Sequence, residues 1–398
     1  MNTATQLREA ALTMERIDTH AHLVDVYPDL KTDVAAYGHF EITPHVIDSR
    51  VKAEGCRVLY GIDPGSHLRP DAPAGLFDAA AALRKQGAWQ AIGHALDAAR
   101  ISRQLAFCNH KPAGTRPFAG TPLRQRLAYL AYVDEAINGH GEYPCPDFAV
   151  PGFTYYQGLC DGLGALSSMN DYLAALDATI DGWRAHGVVG MKTAIAYTSG
   201  LAISDPPLAE ARTAFARKND MTAADFRSVH DYAFRHCLLA CKRNALPVVI
   251  HTGFQIWGHS SLEQANPLLL HNLLADRRYR DITFVLLHGG NPYAGETTYL
   301  AGMFPNVFID FTWIGWMTPT RFRGALAEWL AGVPHDKLCW GSDSCGPESI
   351  AGINSIVRRL IADVLESCMA DGTIDEHYAM EFLENTYVNT PARLFGPA

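Results

Sequence analysis

Eight short apolar or β-branched runs recur along this chain, and most of them are separated by segments with helical periodicity. The alternation of short buried strands with helices is typical of parallel βα units, and eight such units close into a barrel. The runs occupy residues 16–22, 103–108, 126–133, 187–193, 246–251, 282–288, 306–310 and 337–343. The sequence therefore predicts an α/β fold of the (β/α)8, or TIM-barrel, class.

The spacing of the runs also predicts how the chain is organised. A barrel can use several hundred residues as one unit, so we expect a single domain over residues 1–398. The segments near 30–75 and 133–165 are too long for ordinary loops and are predicted to be insertions with helical parts. An Ala-rich segment over 76–100 predicts one long helix, whereas the second and third runs are not strictly apolar and are also compatible with helix.

The composition describes a folded protein and excludes several partners. Hydrophobic residues make up 48% of the 398 residues and charged residues 19%, as in globular domains. The net charge of −9 and the absence of a dense Lys/Arg run argue against a nucleic-acid partner. No apolar stretch reaches the roughly 18 to 20 residues that cross a bilayer, and the N-terminus has no signal-peptide core. We therefore expect a cytoplasmic protein with no membrane partner.

Several of the runs end in a side chain that can bind a metal ion. In a parallel barrel the carboxyl ends of all strands meet on one face, so these side chains are expected to converge although they are far apart in sequence. They are His20 and His22 on the first run, Lys192 on the fourth, His251 on the fifth, His288 on the sixth and Asp343 on the eighth. The pattern indicates a metal site at the mouth of the barrel.

The pair His20 and His22 is weak evidence by itself. The chain has 17 histidines, so a chance HxH spacing of structural histidines is a serious alternative. At a strand end, however, residues two apart lie on the same face and both imidazoles can point towards the barrel axis. Histidines that end other runs favour the metal site over the structural alternative.

These residues carry a resemblance to a known family. The order of HxH on the first strand, Lys on the fourth, His on the fifth and sixth, and Asp on the eighth resembles the amidohydrolase superfamily, whose opening motif is similar to Asp18-Thr19-His20-Ala21-His22. The segments His251-Thr252-Gly253 and Gly341-Ser342-Asp343 resemble its amidohydrolase-related group. Within that group the chain is most similar to the branch that contains the N-terminal domain of FluG-type proteins.

The resemblance implies a metal-dependent enzyme. His20, His22 and His251 would hold a divalent ion with Asp343 as a further ligand, and Asp343 would act as the general base for an activated water. Zinc is the favoured metal, with manganese or iron as alternatives, and the resemblance is compatible with one or two ions per chain.

Two positions have more than one candidate role. His288 would be either a ligand of a second ion or a catalytic group that polarises the substrate carbonyl. Lys192 would be a carboxylated lysine that bridges two ions, an ammonium that binds a substrate carboxylate, or a member of a structural ion pair. The sequence leaves these alternatives open.

Further residues in the predicted loops are candidates for substrate binding. They are Tyr197, Trp257, Asn291, Trp313, Arg321 and Glu348. Aromatic side chains in this set would give apolar walls to the pocket of a small-molecule substrate. The insertions offer surfaces for subunit contact or pocket closure, and we expect a homo-oligomer.

Three reactions are compatible with this machinery. The first is hydrolysis of an amide, ester or lactone bond by an activated water, with Asp343 as the base. The second is non-oxidative decarboxylation of an aromatic acid, and the third is isomerisation of a uronate. Binding of a substrate carboxylate by Arg321 or Lys192 would favour the second or third reaction.

Overall fold

The computed structural model contains one eight-stranded sheet whose strands follow the order of the sequence. The strands are β1 Arg16–His22, β2 Ile101–Phe107, β3 Leu127–Tyr132, β4 Val188–Thr193, β5 Val248–His251, β6 Phe284–Leu287, β7 Val307–Asp310 and β8 Leu338–Cys339. Pairing is parallel between β1 and β2 and along the ladder from β3 to β7. This is the strand order of a (β/α)8 barrel and confirms the predicted fold class.

The structure describes residues 3–23, 29–35, 43–107, 118, 120–137, 166–218, 220–255 and 261–396. Helices lie between most of the strands in this part of the chain. They are α1 Thr3–Thr13, α2 Leu30–Ala35, α3 Thr43–Tyr60, α4 Ala74–Lys85, α5 Ala88–Ala98, α6 Val133–Ile137, α7 Met169–Trp183, α8 Leu208–Phe215, α9 Ala223–Arg243, α10 His271–Ala275, α11 Ala294–Met303, α12 Ile314–Met317, α13 Pro319–Gly332, α14 Pro347–Ala370, α15 Glu376–Glu384 and α16 Thr390–Phe395. Among the described residues, no helix has the length and apolar character needed to span a membrane.

Three of the sequence-based expectations need correction or completion. The Ala-rich segment 76–100 is two helices, α4 and α5, because the chain turns at Gly87, whose φ of +116° cannot belong to a right-handed helix. The second and third runs are strands. The insertion near 30–75 contains α2 and α3, whereas most of the insertion near 133–165 lies outside the described residues beyond α6.

The contacts divide the chain into two compact units. The first consists of Met1–Cys108, Phe118–Ala128 and Asp310–Ala398, and the second of Asn109–Pro117 and Tyr129–Ile309. The prediction of one domain stays a prediction, and each unit is described by itself.

In the first unit, α3 and α14 cross at very short range. A Cβ atom at Gly55 would collide with the Glu348 carbonyl oxygen, and one at Gly352 would collide with the Val51 carbonyl oxygen. The two helices therefore touch backbone to backbone on both sides of the crossing. The Glu348 carboxylate is buried beside this crossing and accepts hydrogen bonds from Arg84 at 2.7 and 2.9 Å and from the Tyr60 hydroxyl at 2.6 Å.

In the second unit, helix α9 contacts β4 through Cys241, whose sulfur lies 3.2 Å from that of Met191. Thr222 begins the helix with a capping box, in which its hydroxyl accepts from the Asp225 amide while the Asp225 carboxylate accepts from the Thr222 amide. At the end of β4, the buried Asp134 carboxylate accepts hydrogen bonds from the Thr193 hydroxyl at 3.0 Å and the Ala194 amide at 2.9 Å. These bonds fix the chain where it leaves the strand.

The helix crossing gives a test of the fold. We expect Gly55→Ala to lower the free energy of unfolding by about 1–3 kcal/mol, the usual cost of inserting a methyl group where there is no space. Gly324→Ala on α13 is the matched control, because no described atom outside its own stretch of helix lies within 4 Å of the added Cβ. Alanine there should raise stability by up to about 1 kcal/mol through its higher helix propensity. Urea unfolding measures both, and equal midpoints for the two variants would contradict the close crossing.

Candidate metal centre

Backbone hydrogen bonds between β1 and the segment that follows β8 position the residues of the centre. The Thr19 amide donates to the Trp340 carbonyl at 3.2 Å, and the His22 amide donates to the Ser344 carbonyl at 2.9 Å. Between them the Asp343 amide donates to the His20 carbonyl at 2.7 Å. The backbone of β1 therefore fixes the position of Asp343 directly.

His20, His22 and Asp343 meet at this edge of the sheet. One Asp343 carboxylate oxygen lies 3.3 Å from His20 Nε2 and 3.2 Å from His22 Nε2. The ligand atoms of all three residues lie within 4.8 Å of one another. His20 and Asp343 are almost completely buried, whereas the His22 side chain is 30% exposed. The predicted trio is thus assembled, with an approach from solvent on the His22 side.

The Phe107 ring at the end of β2 holds both imidazoles in place. Its centroid lies 4.8 Å from that of His20, edge to face, and 5.1 Å from that of His22, in a stacked arrangement. An aromatic wall on one side lowers the local dielectric and leaves the nitrogen atoms turned towards Asp343. The sequence analysis did not identify Phe107, although its place at the end of the second strand was a usable signal.

The charges of this trio are suited to a cation. Burial alone would raise the pKa of Asp343, yet the neighbouring His20 and His22 hold it well below its usual range. An ionised carboxylate that faces two imidazoles in a buried site needs positive charge, which either protons on the imidazoles or a metal ion can provide. Two imidazoles and a carboxylate are a ligand set that zinc, manganese and iron all accept. The residues therefore fit a divalent ion.

Asp18 stabilises the segments that carry His20, His22 and Asp343. It precedes His20 and His22 at the two-residue spacing of one strand face, and its carboxylate accepts from the Ser342 amide at 2.8 Å and from Gln104 Nε2 at 2.7 Å. Burial raises the pKa of Asp18 to about 6, while these hydrogen bonds act in the opposite direction. Asp18 thereby ties β1, β2 and the segment after β8 together, a role that the sequence analysis missed.

In the second unit, His251 and His288 form a hydrogen-bonded pair. His251 ends β5 opposite Leu287, so that His288 follows directly at the end of β6. His288 Nε2 lies 2.9 Å from His251 Nδ1, and His251 Nε2 lies 2.8 Å from the Phe254 carbonyl oxygen. Because a carbonyl oxygen can only accept, His251 Nε2 donates a hydrogen bond to Phe254, and in the neutral ring the Nδ1 lone pair accepts one from His288 Nε2.

Other predicted residues of the second unit lie close to this pair or within the strands. The Tyr197 ring centroid lies 4.5 Å from that of His251. Lys192 is buried in β4, paired in register with Val249 of β5. The Asn291 carbonyl accepts from the Phe254 amide at 2.6 Å. Trp257 lies outside the described residues.

In the first unit, Trp313 occupies a strained turn after β7. Its φ of +71° and ψ of −51° and a 2.9 Å hydrogen bond from the Ile314 amide to the Thr312 carbonyl define a γ-turn. His288 and Asp343 also have positive φ values, of 67° and 56°, and each follows a strand of the sheet. Such strain is costly for residues other than glycine and concentrates at functional sites. Trp313 is buried, which is compatible with its predicted role in a pocket wall.

Arg321 and Glu348 are placed differently from one another. Arg321 is exposed on α13, whereas Glu348 is buried at the start of α14 with Arg84 and Tyr60 as partners. The Arg84 and Tyr60 contacts lower the pKa of Glu348 against the effect of burial. These bonds give the Glu348 carboxylate a clear structural function, and its predicted contact with substrate stays a prediction.

Comparison with solved structures supports the fold. A protein from Lactobacillus casei assigned as a metal-dependent hydrolase has a TM-score of 0.72 and 17% identity, with 98% of this chain and 97% of that chain covered. Uronate isomerase from Thermotoga maritima also has a TM-score of 0.72, with 12% identity and coverage of 99% and 97%. At these identities the likeness establishes the barrel fold and nothing finer.

Comparison of sequences establishes the family. The protein FluG of Emericella nidulans is 31% identical over 212 residues, which are 49% of this chain and 23% of FluG. This chain thus matches less than a quarter of that relative's length. The amidohydrolase family model matches residues 162–396, more than half of the chain. Together with the strand order of the barrel, this match shows that the chain belongs to the amidohydrolase family.

Proposed function

We propose that this protein is a metal-dependent hydrolase that cleaves an amide, ester or lactone bond of a small-molecule substrate. The observation that carries the proposal is the convergence of His20, His22 and Asp343 at the partly open end of β1. His20 Nε2, His22 Nε2 and a carboxylate oxygen of Asp343 would hold one divalent ion, for which zinc is the favoured metal. When bound, such an ion lowers the pKa of a water molecule and polarises an acyl oxygen.

The chain's own residues supply the proton transfers. The ionised Asp343 carboxylate would accept a proton from the attacking water, the role that the family resemblance implies for it. The water oxygen then forms a bond to the acyl carbon, and the bond from this carbon to nitrogen or oxygen breaks. Asp343 returns the proton to the departing amine or alcohol, which regenerates the carboxylate.

Asp343 is well placed to repeat this cycle. Its amide is anchored to the His20 carbonyl, which fixes the backbone from which the carboxylate extends. The exposed side of His22 leaves a route by which substrate can approach. Phe107 keeps water away from the opposite side of the imidazoles, which strengthens the electrostatic interactions at the site.

Participation of His251, His288 and Lys192 in the same centre remains a prediction from the sequence and the family. Neutral His251 would be a further ligand, and His288 would either bind a second ion or polarise the acyl oxygen. A carboxylated Lys192 would accompany two ions, whereas an ammonium would bind a substrate carboxylate. Location in the cytoplasm and a homo-oligomeric state are likewise proposals.

Loss of metal binding is the first expected consequence of changing the trio. We expect His20→Ala and Asp343→Asn to lower the affinity for zinc by about a hundredfold or more, because each removes a direct ligand. Asp18→Asn should cost about ten- to a hundredfold, the usual effect of a group that orients ligands. Elemental analysis after dialysis against a zinc buffer measures all three.

His377→Ala is the matched control for this experiment. The His377 side chain is 83% exposed on α15 and lies 3.5 Å from Glu381, so its loss should leave zinc content unchanged. Full zinc content in Asp343→Asn would contradict the proposed centre. Equal losses in Asp18→Asn and Asp343→Asn would contradict the division into ligand and supporting residue.

The reaction class is tested by isotope labelling. With a panel of small amides, esters and lactones in ¹⁸O-labelled water, we expect one ¹⁸O atom from solvent in each product acid, because the attacking oxygen is that of water. Asp343→Asn should reduce kcat by about a thousandfold or more, since it removes both a ligand and the base. Mass spectrometry of the product measures the label.

Two other outcomes would replace hydrolysis by another reaction. Release of carbon dioxide from an aromatic acid without incorporation of solvent oxygen would establish a decarboxylase. Conversion of a uronate to a product of unchanged mass would establish an isomerase, a reaction carried out by the structurally similar protein from Thermotoga maritima.

A further inference from the structure

A cavity lies among the helices of the first unit. It is a cleft of about 350 Å³ lined by parts of α1, α3, α13 and α14. None of the metal-centre residues His20, His22 and Asp343 lines it. Its volume is at the lower end of the range of small-molecule sites.

Five arginines line this cleft, which is unusual in a chain of net charge −9. They come from all four helices: Arg8 from α1, Arg50 and Arg57 from α3, Arg323 from α13 and Arg359 from α14. Arg50 and Arg57 are seven residues apart, so they lie on one face of α3. The helices thus bring guanidinium groups together from distant parts of the sequence.

Two carboxylates line the same cleft, and each is shared between two arginines. Glu54 accepts from Arg57 at 2.9 Å and from Arg359 at 2.7 Å. Asp363 lies 3.2 Å from Arg8 and 3.3 Å from Arg323. Because each carboxylate contacts two arginines, the guanidinium groups lie near one another and each does not have an acid of its own in the cleft.

Two further acids pair with Arg8 and Arg57 from outside the cleft. Glu366 pairs with Arg8 at 2.8 Å and Asp63 pairs with Arg57 at 2.8 Å, and neither acid lines the cleft. Even with both acids counted, the five arginines outnumber the four carboxylates that contact them among the described residues. An excess of positive charge remains within the cleft.

Arg50 accounts for this excess. It is partly buried, and it donates a hydrogen bond to the Trp316 carbonyl oxygen. Among the described residues it has no carboxylate partner within ion-pair distance. Burial lowers the pKa of Arg50, as expected for a cation that has lost water without gaining an acid.

We propose that this cleft binds a small molecule that carries a phosphate group. Guanidinium forks match the oxygens of phosphate and bind them with paired hydrogen bonds. Five arginines and two carboxylates line the cleft, so a doubly charged phosphate compensates more of the positive charge of the lining than a single carboxylate does. The cleft is larger than one phosphate ion, so it has room for the organic part of a phosphate ester.

Calorimetric titration of the full-length, metal-loaded protein tests this proposal. The ligands are inorganic phosphate, glycerol phosphate as a small ester, and acetate as a monovalent carboxylate. We expect saturable binding of both phosphate ligands, with the ester at least as tight, and no saturable binding of acetate. Binding should weaken with added salt because the interaction is between charges.

Variants on two different helices locate the site. Arg50→Gln and Arg359→Gln should each weaken phosphate binding by about tenfold or more, since each removes a charged fork from the cleft. Arg393→Gln is the matched control: Arg393 is 51% exposed and pairs with Asp336, much as Arg359 is 48% exposed and pairs with Glu54. It should change binding less than twofold, and circular dichroism confirms that each variant is folded.

Several results would overturn the proposal. One is absence of saturable phosphate binding up to about 10 mM, a concentration at which even a weak site would fill. Another is equal affinity in Arg50→Gln, Arg359→Gln and Arg393→Gln, which would place the phosphate elsewhere, including at the metal centre. Exclusion of the ester, or acetate binding as tight as phosphate, would contradict the proposed ligand class.

Discussion

The pairing of β1 with the segment after β8 is the constraint on which the candidate centre depends. Three backbone hydrogen bonds join them, and the middle one holds the Asp343 amide on the His20 carbonyl at 2.7 Å. Asp18 strengthens the same junction by accepting from Ser342 and Gln104. Catalytic geometry requires side chains held to a fraction of an ångström, and backbone bonds achieve this without relying on flexible loops.

The junction also places charged or ionisable side chains in a buried position, where such groups are usually absent. Asp343 is buried and ionised, and two imidazoles turn towards it with Phe107 behind them. Burying such a group stabilises the protein only when positive charge compensates it. A divalent ion satisfies this requirement and at the same time supplies the chemistry of the proposed hydrolysis. The stability of the buried Asp343 carboxylate and the proposed function therefore both require a cation beside His20 and His22.

The sequence was sufficient for the fold because eight strands separated by helices have few alternatives once their order is known. It also identified His20, His22 and Asp343, since their place at strand ends decides where they meet. It could not reveal Asp18 as the support of the trio or the γ-turn at Trp313, because both depend on contacts or dihedral angles that no local pattern encodes. The break at Gly87 was missed because alanine-rich segments on both sides conceal it.

The most direct test of the account is the position of the metal. Crystals of the zinc-loaded protein, measured at wavelengths above and below the zinc absorption edge, would locate every ion through its anomalous signal. The account predicts an ion within about 2.0–2.2 Å of His20 Nε2, His22 Nε2 and a carboxylate oxygen of Asp343. An ion bound elsewhere, with these three side chains contacting only one another, would contradict it.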